Sequence, residues 1–236
     1  MSRFVSKLFI LVLIAGTLPV FAGNKQNADN ATVLINQATV QDAGGFPFKI
    51  TAPGNFKLIG DLVVPANTSG ILIQANDVTL DLNGFSITGP VACDFQGNNC
   101  TPAPTRETDG VEAVLSAQGN IFGVTIRNGH IRGFSFGVST FSGLVEEITA
   151  YSNFSGGITA ERAVVRRNDT SQNHGFGIGC NSCVVTENVA NNNQGNGFVM
   201  SFGGVFGSNS TQNSFGADID IGVTTQNNNN CSGHAC

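Results

Sequence analysis

Residues 137–216 read GVSTFSGLVEEITAYSNFSG (137–156), GITAERAVVRRNDTSQNHGF (157–176), GIGCNSCVVTENVANNNQGN (177–196) and GFVMSFGGVFGSNSTQNSFG (197–216), four copies of one twenty-residue unit. Each copy opens on a Gly-apolar pair: Gly137-Val138, Gly157-Ile158, Gly177-Ile178 and Gly197-Phe198, with Ala217-Asp218 as a worn fifth. Seven residues past the apolar member stand Val145, Val165, Val185 and Val205. Ala150, Thr170, Ala190 and Ser210 form a small-residue column, and Asn153, Asn173, Asn193 and Asn213 a fourth. Four columns in register make the repeat real.

A unit this short buries its apolar face only by stacking on its neighbours. It has no helical spacing of apolar residues. Short β-branched groups are instead separated by Gly, Asn and Ser, the pattern of short strands joined by tight turns. Two or three such strands wind once around a coil, and coils stack about 4.8 Å apart with like residues above like. The chain is therefore expected to be all-β, a single-stranded parallel β-helix of about seven coils with about 20 residues each. Asn suits the turn column because it tolerates left-handed backbone and its amide can bond the same amide one coil away. Arg127, Glu147, Arg167 and Glu187 share one outer phase and predict a ladder of alternating charge, with Glu146 and Arg166 repeating the pairing one position earlier.

Working toward the N-terminus, Gly70–Gly89 is a full coil in the same phase. PGNFKLIGDLVVP at 53–65, VTLDLNGFSITG at 78–89 and VTIRNGHIRGF at 124–134 resemble the secreted right-handed parallel β-helix proteins of the pectin-lyase-like superfamily. The resemblance spans roughly residues 46 to 222 and implies a right-handed coil. On activity it says little, since such coils serve lyases, hydrolases, epimerases, adhesins and proteins without known catalysis.

Residues 46–222 form the expected β-helix body. Residues 90–108 break its rhythm as an inserted loop containing Cys93 and Cys100. Before the body, residues 23–45 are a capping segment. Ala31, Leu34, Ile35 and Ala38 predict a short amphipathic helix over Asp29–Val40, capped by Asp29 or Asn30 and ended by Gly44-Gly45, which would lid the stack. Residues 1–22 read as a signal peptide: Arg3 and Lys7, the apolar run Leu8–Ala15, then Val20-Phe21-Ala22. Its removal leaves nine basic against sixteen acidic residues, a net charge of −7. That balance offers no basic patch to nucleic acid or an anionic membrane, and the mature chain has no apolar run long enough to span a bilayer. Export places the protein outside the cell or in the periplasm. Residues 223–236 are a polar tail.

Six cysteines in an exported chain suggest local disulfides: Cys93–Cys100, Cys180–Cys183 and Cys231–Cys236. No metal site is expected, because His130, His174 and His234 lack ligand spacing. His130 falls in the small-residue column and His174 in a turn, so both read as structural or solvated.

No acidic pair stacks in the twenty-residue columns, as a glycosidase would need. The remaining acids are Asp94, Asp109 and Glu112 near the inserted loop, and Asp218 with Asp220 on the last strand. Thr108-Asp109-Gly110 resembles a Thr-Asp-Gly turn of β-helix glycosidases, but the further acidic pair and Gly-His-Gly of those enzymes are missing. The leading expectation is a secreted, non-catalytic module that binds polysaccharide or builds an extracellular surface, using Phe95, Gln96 and Asn98 of the disulfide loop. It needs no cofactor. The rival is a small polysaccharide lyase or hydrolase acting on uronic-acid polymers through Asp109 and Glu112 with Arg106 or Arg132. Only its lyase form would use calcium.

Overall fold

The computed structural model describes residues 31–94, 99–113, 115–116, 119–213, 219–221, 229–231 and 234–235. It is an all-β parallel solenoid of about eight turns. Each turn lays down up to three strands. The first strands are Phe48–Ile50, Ile71–Ile73, Asp109–Ala113, Phe136–Thr140, Gly156–Glu161 and the opening residues of Phe176–Thr186 and Phe198–Gly207, all paired in parallel. Second strands run from Gly54–Leu58 through Val78–Asp81 to Ala163–Arg166 and beyond. Short third strands such as Ser86–Thr88 and Val189–Asn191 close the coil.

The columns read from sequence are the core. Val138, Ile158, Ile178 and Phe198 are fully buried, as are Val145, Val165 and Val185. Each such side chain contributes about 1.5–3 kcal/mol by leaving water. The glycine column is a matter of space. A Cβ on Gly137, Gly157 or Gly177 would lie 2.6, 2.8 or 2.6 Å from the carbonyl oxygen of the next glycine in the column.

Asparagine closes the corners. Asn173 Oδ1 accepts from Asn153 N (3.1 Å) and Nδ2 (3.0 Å), while Asn173 Nδ2 donates to Ala150 O (3.0 Å) and Asn193 Oδ1 (3.1 Å). A second ladder of the same kind links Asn168, Asn188, Asn209 and Asn229. The residue just before each ladder amide turns through left-handed backbone, as at Arg167 (φ 54°), Gln172 (φ 59°) and Glu187 (φ 59°). Buried amides bonded on both sides incur little desolvation cost and fix the register of coil on coil.

Several expectations are corrected. Thr32–Ile35 is a strand that pairs with Gly54–Leu58, and the helix is only Gln37–Asp42. The apolar spacing of Ala31, Leu34, Ile35 and Ala38 fitted a helix, yet the strand bonds the free edge of residues 55–58 and adds a turn to the stack. The cap is Asn36, whose Oδ1 accepts from Thr39 N (2.9 Å) while Thr39 Oγ1 accepts from Asn36 N (2.8 Å).

In the fourth copy an extra residue at Phe202-Gly203-Gly204 shifts the register. Phe206 and Thr211 therefore take the inward positions expected of Val205 and Ser210. A spacing of nineteen rather than twenty puts Arg127 opposite Glu146, and Arg127 bonds Asp81 (3.3 Å) instead of joining the Glu147–Arg167 column. The same offset leaves His130 exposed and puts Ile131 beside Ala150. Stacking also continues past residue 222, because Asn230–Cys231 pairs with Ser210–Gln212.

Cys93–Cys100 and Cys180–Cys183 are disulfides, and Cys231 is disulfide-bonded as well. Its expected partner Cys236 lies outside the described residues, as do the proposed signal peptide, the cap candidates Asp29 and Asn30, Asp218, and Phe95, Gln96 and Asn98. Among the described residues no helix is long and apolar enough to cross a membrane.

Candidate functional site

The first strands of successive coils make a parallel face, and the end of the inserted loop comes back over it at Arg106 and Glu107. Between them lies a cleft of about 500 Å³. Asp109 and Glu112 line its floor, with Ser139 from the next coil, Thr159 and Glu161 from the one after, and Asn181 from the next. Glu112, Ser139 and Thr159 occupy one register position on adjacent strands. Successive hydrogen-bonding groups therefore recur about every 4.8 Å across the strands.

Asp109 opens the strand Asp109–Ala113, where a Thr-Asp-Gly turn was read. Its amide donates to Ser69 Oγ (3.1 Å), and its carbonyl accepts from Gly70 N (2.8 Å), so its backbone is locked to the preceding coil. The residue is 5% exposed. Its Oδ1 has no hydrogen-bond partner, and neither does Ser139 Oγ. The hydroxyl thus acts on the carboxyl at longer range than a formed bond.

Burial drives the Asp109 pKa from 3.8 up to about 7. The Glu112 charge is the next cause, the Ser139 hydroxyl pulls the other way, and Glu107 adds a smaller upward push. Glu112 is also raised, first by partial burial and then by Glu107, with Arg106 opposing. Near neutral pH the cleft floor holds a carboxyl shared between its protonated and ionised forms beside further carboxylates.

Of the residues singled out from sequence, Asp109, Glu112 and Arg106 meet in this cleft. Arg132 does not line it. It is exposed at the end of the strand Thr125–Arg132, with its guanidinium 5.8 Å from the Tyr151 ring centroid. The disulfide hairpin does not line it either; Cys93 Sγ lies 3.8 Å from Ser152 O, next to Tyr151.

Glu107, Ser139, Thr159, Glu161 and Asn181 were not foreseen. Glu112, Ser139 and Thr159 form one outward column, but the offset from Glu112 to Ser139 is twenty-seven rather than twenty, which hides its first member. A second depression of about 360 Å³ lies on the other side of Arg106 and Glu107, walled by Phe136 and Phe154. Phe154 stacks on His174 (5.1 Å between centroids, 9° between planes), which accounts for that histidine structurally. Among the described residues no group of three or more His, Cys, Asp or Glu is placed to hold a metal ion.

Comparison of the chain with protein families, with curated proteins and with solved structures finds no match.

Proposed function

We propose that this chain is an exported β-helix module that binds a glycan in the cleft between Arg106–Glu107 and the first-strand face. The observation that carries this reading is a buried, unpartnered Asp109 oxygen at the floor of an open polar cleft. Buried polar atoms are almost always bonded, and those left unpaired at a cleft wait for a ligand donor. A chain of sugar rings laid across the strands would meet Glu112, Ser139 and Thr159 in turn, one per coil. Phe136 and Phe154 offer apolar faces to rings lying beyond Arg106. The two formed disulfides accord with an oxidising compartment, and the leader read over residues 1–22 supplies the export route. The likeness to pectin-lyase-like proteins raises the expectation of polysaccharide contact without specifying chemistry.

A second reading, hydrolysis of the bound glycan, is favoured by one feature: two carboxyl groups whose environments differ. Asp109, held protonated up to about pH 7, would serve as general acid, and Glu112 would activate water. The lyase form is less supported, because Arg132 does not line the cleft and Arg106 is the one basic residue among the described residues that does.

A glycan panel tests binding, with reducing ends counted after incubation to test hydrolysis. Binding lost in Asp109→Asn together with Glu112→Gln, in a folded protein, supports the site. Unchanged binding in that double variant removes it. New reducing ends that vanish in Asp109→Asn select the enzyme.

A further inference from the structure

The charge inventory of the cleft is lopsided. Four carboxyl groups line it, from Glu107, Asp109, Glu112 and Glu161, against the single guanidinium of Arg106. Glu161 is paired with Arg162 (3.4 Å), whose guanidinium also lies over the Phe141 ring (5.2 Å). That leaves Glu107, Asp109 and Glu112 facing the cleft with Arg106, which makes no ion pair among the described residues.

Acidic residues alone would not make a site. Here a second observation points the same way: Asp109 is 5% exposed, aimed into the cleft, and its Oδ1 is unbonded. A uronate placed there would bring another carboxylate against Glu107, Glu112 and the partly ionised Asp109. Close like charges at an interface are strongly unfavourable. A neutral hydroxyl would supply one donor. An ammonium supplies three donors and the opposite charge, so it can bond Asp109 Oδ1 and a neighbouring carboxylate together.

Resting on the glycan reading above, we infer that the cleft selects a sugar unit carrying a protonated amine, a hexosamine polymer with free amino groups, and rejects uronates. This changes the substrate class that the family likeness suggests. The recognition element is Asp109 with Glu112, with Glu107 closing the cleft from the loop side.

Calorimetric titration of the folded, disulfide-bonded chain at neutral pH and low salt tests it with a β-1,4-linked glucosamine oligosaccharide, its fully N-acetylated counterpart, an oligogalacturonate and calcium alone. The expected result is glucosamine binding at least about tenfold tighter than its acetylated form, a difference of about 1.4 kcal/mol, with no heat from galacturonate. Glu112→Gln should remove most of that preference, read as the ratio of the two affinities. Glu187→Gln, at a distant corner, should change nothing. A tetralysine peptide, charged but without rings, should not displace the sugar.

Equal binding of the amine and acetylated oligomers, or displacement by tetralysine, would leave a glycan cleft but overturn the amine inference. Preference for galacturonate, or calcium binding lost in Glu112→Gln, would overturn it as well. Failure of every oligosaccharide to bind would remove the glycan reading together with the inference built on it.

Discussion

Asn173 and Asp109 are both buried polar side chains on the same solenoid, and they are treated in opposite ways. Asn173 sits in a regular coil with its side chain bonded to Asn153, Ala150 and Asn193. Asp109 sits where the period breaks, with one oxygen bonded to nothing and its pKa pushed up to about 7. Regular coils use most of their polar groups to hold one turn on the next, although Asn191 Oδ1, Asn193 Nδ2 and Gln194 Oε1 are also buried there without a partner. At the break, a polar group is left buried and unsatisfied, which costs stability and suits a ligand. What sets Asp109 apart from those amides is its place at the cleft, together with a carboxyl pKa raised by burial.

The strongest way to break the scaffold half of the contrast is Val185→Asp. Val185 is fully buried between Val165 and Phe206 in adjacent coils. An unpaired charge there should cost several kcal/mol and prevent accumulation of folded protein, as read from secretion yield and circular dichroism. Normal yield would mean that the inward column is wrongly placed.

Asn173→Ala should come next. It strips bonds from Asn153, Ala150 and Asn193 at once, for a loss of about 3 kcal/mol in urea unfolding. A loss below about 1 kcal/mol would show the ladder to be ornamental. The smallest effect belongs to the outer charges. Arg167 is 40% exposed and bonds Glu146 (2.6 Å) and Glu147 (3.2 Å), while Arg166 also holds Glu146 (2.9 Å). Arg167→Gln should cost less than about 1 kcal/mol and still less in high salt.

What could be read from sequence follows the same division. Where copies are spaced by twenty, Val138, Ile158, Ile178 and Phe198 stack in the register expected. One inserted residue near Phe202 was enough to hide both Phe206 and the second asparagine ladder, since Asn209 follows Asn188 by twenty-one. The strand Thr32–Ile35 was read as helix because four apolar residues fit either period until a partner strand decides between them.

At the candidate site, the broken rhythm drew attention to Arg106, Asp109 and Glu112, which line one cleft. It could not show that residues on three further coils complete the cleft, because residues far apart in sequence become neighbours only through stacking. Nor could it separate Arg106, which lines the cleft, from Arg132, which does not.

The central claim, that Asp109 is kept for a ligand at the expense of the fold, is tested most directly by the pH dependence of stability in Asp109→Asn. The folded state holds the Asp109 proton up to about pH 7, whereas an ordinary aspartate releases it near 3.8. Between those values the folded state binds more protons, so stability falls as pH rises, by about 1.4 kcal/mol per pH unit from this group. Urea unfolding of the parent chain and Asp109→Asn across that window should show the variant without this slope, and at least as stable as the parent above pH 7. A variant with the parent's slope, or one destabilised above pH 7 as much as Asn173→Ala, would make Asp109 part of the scaffold and contradict the claim.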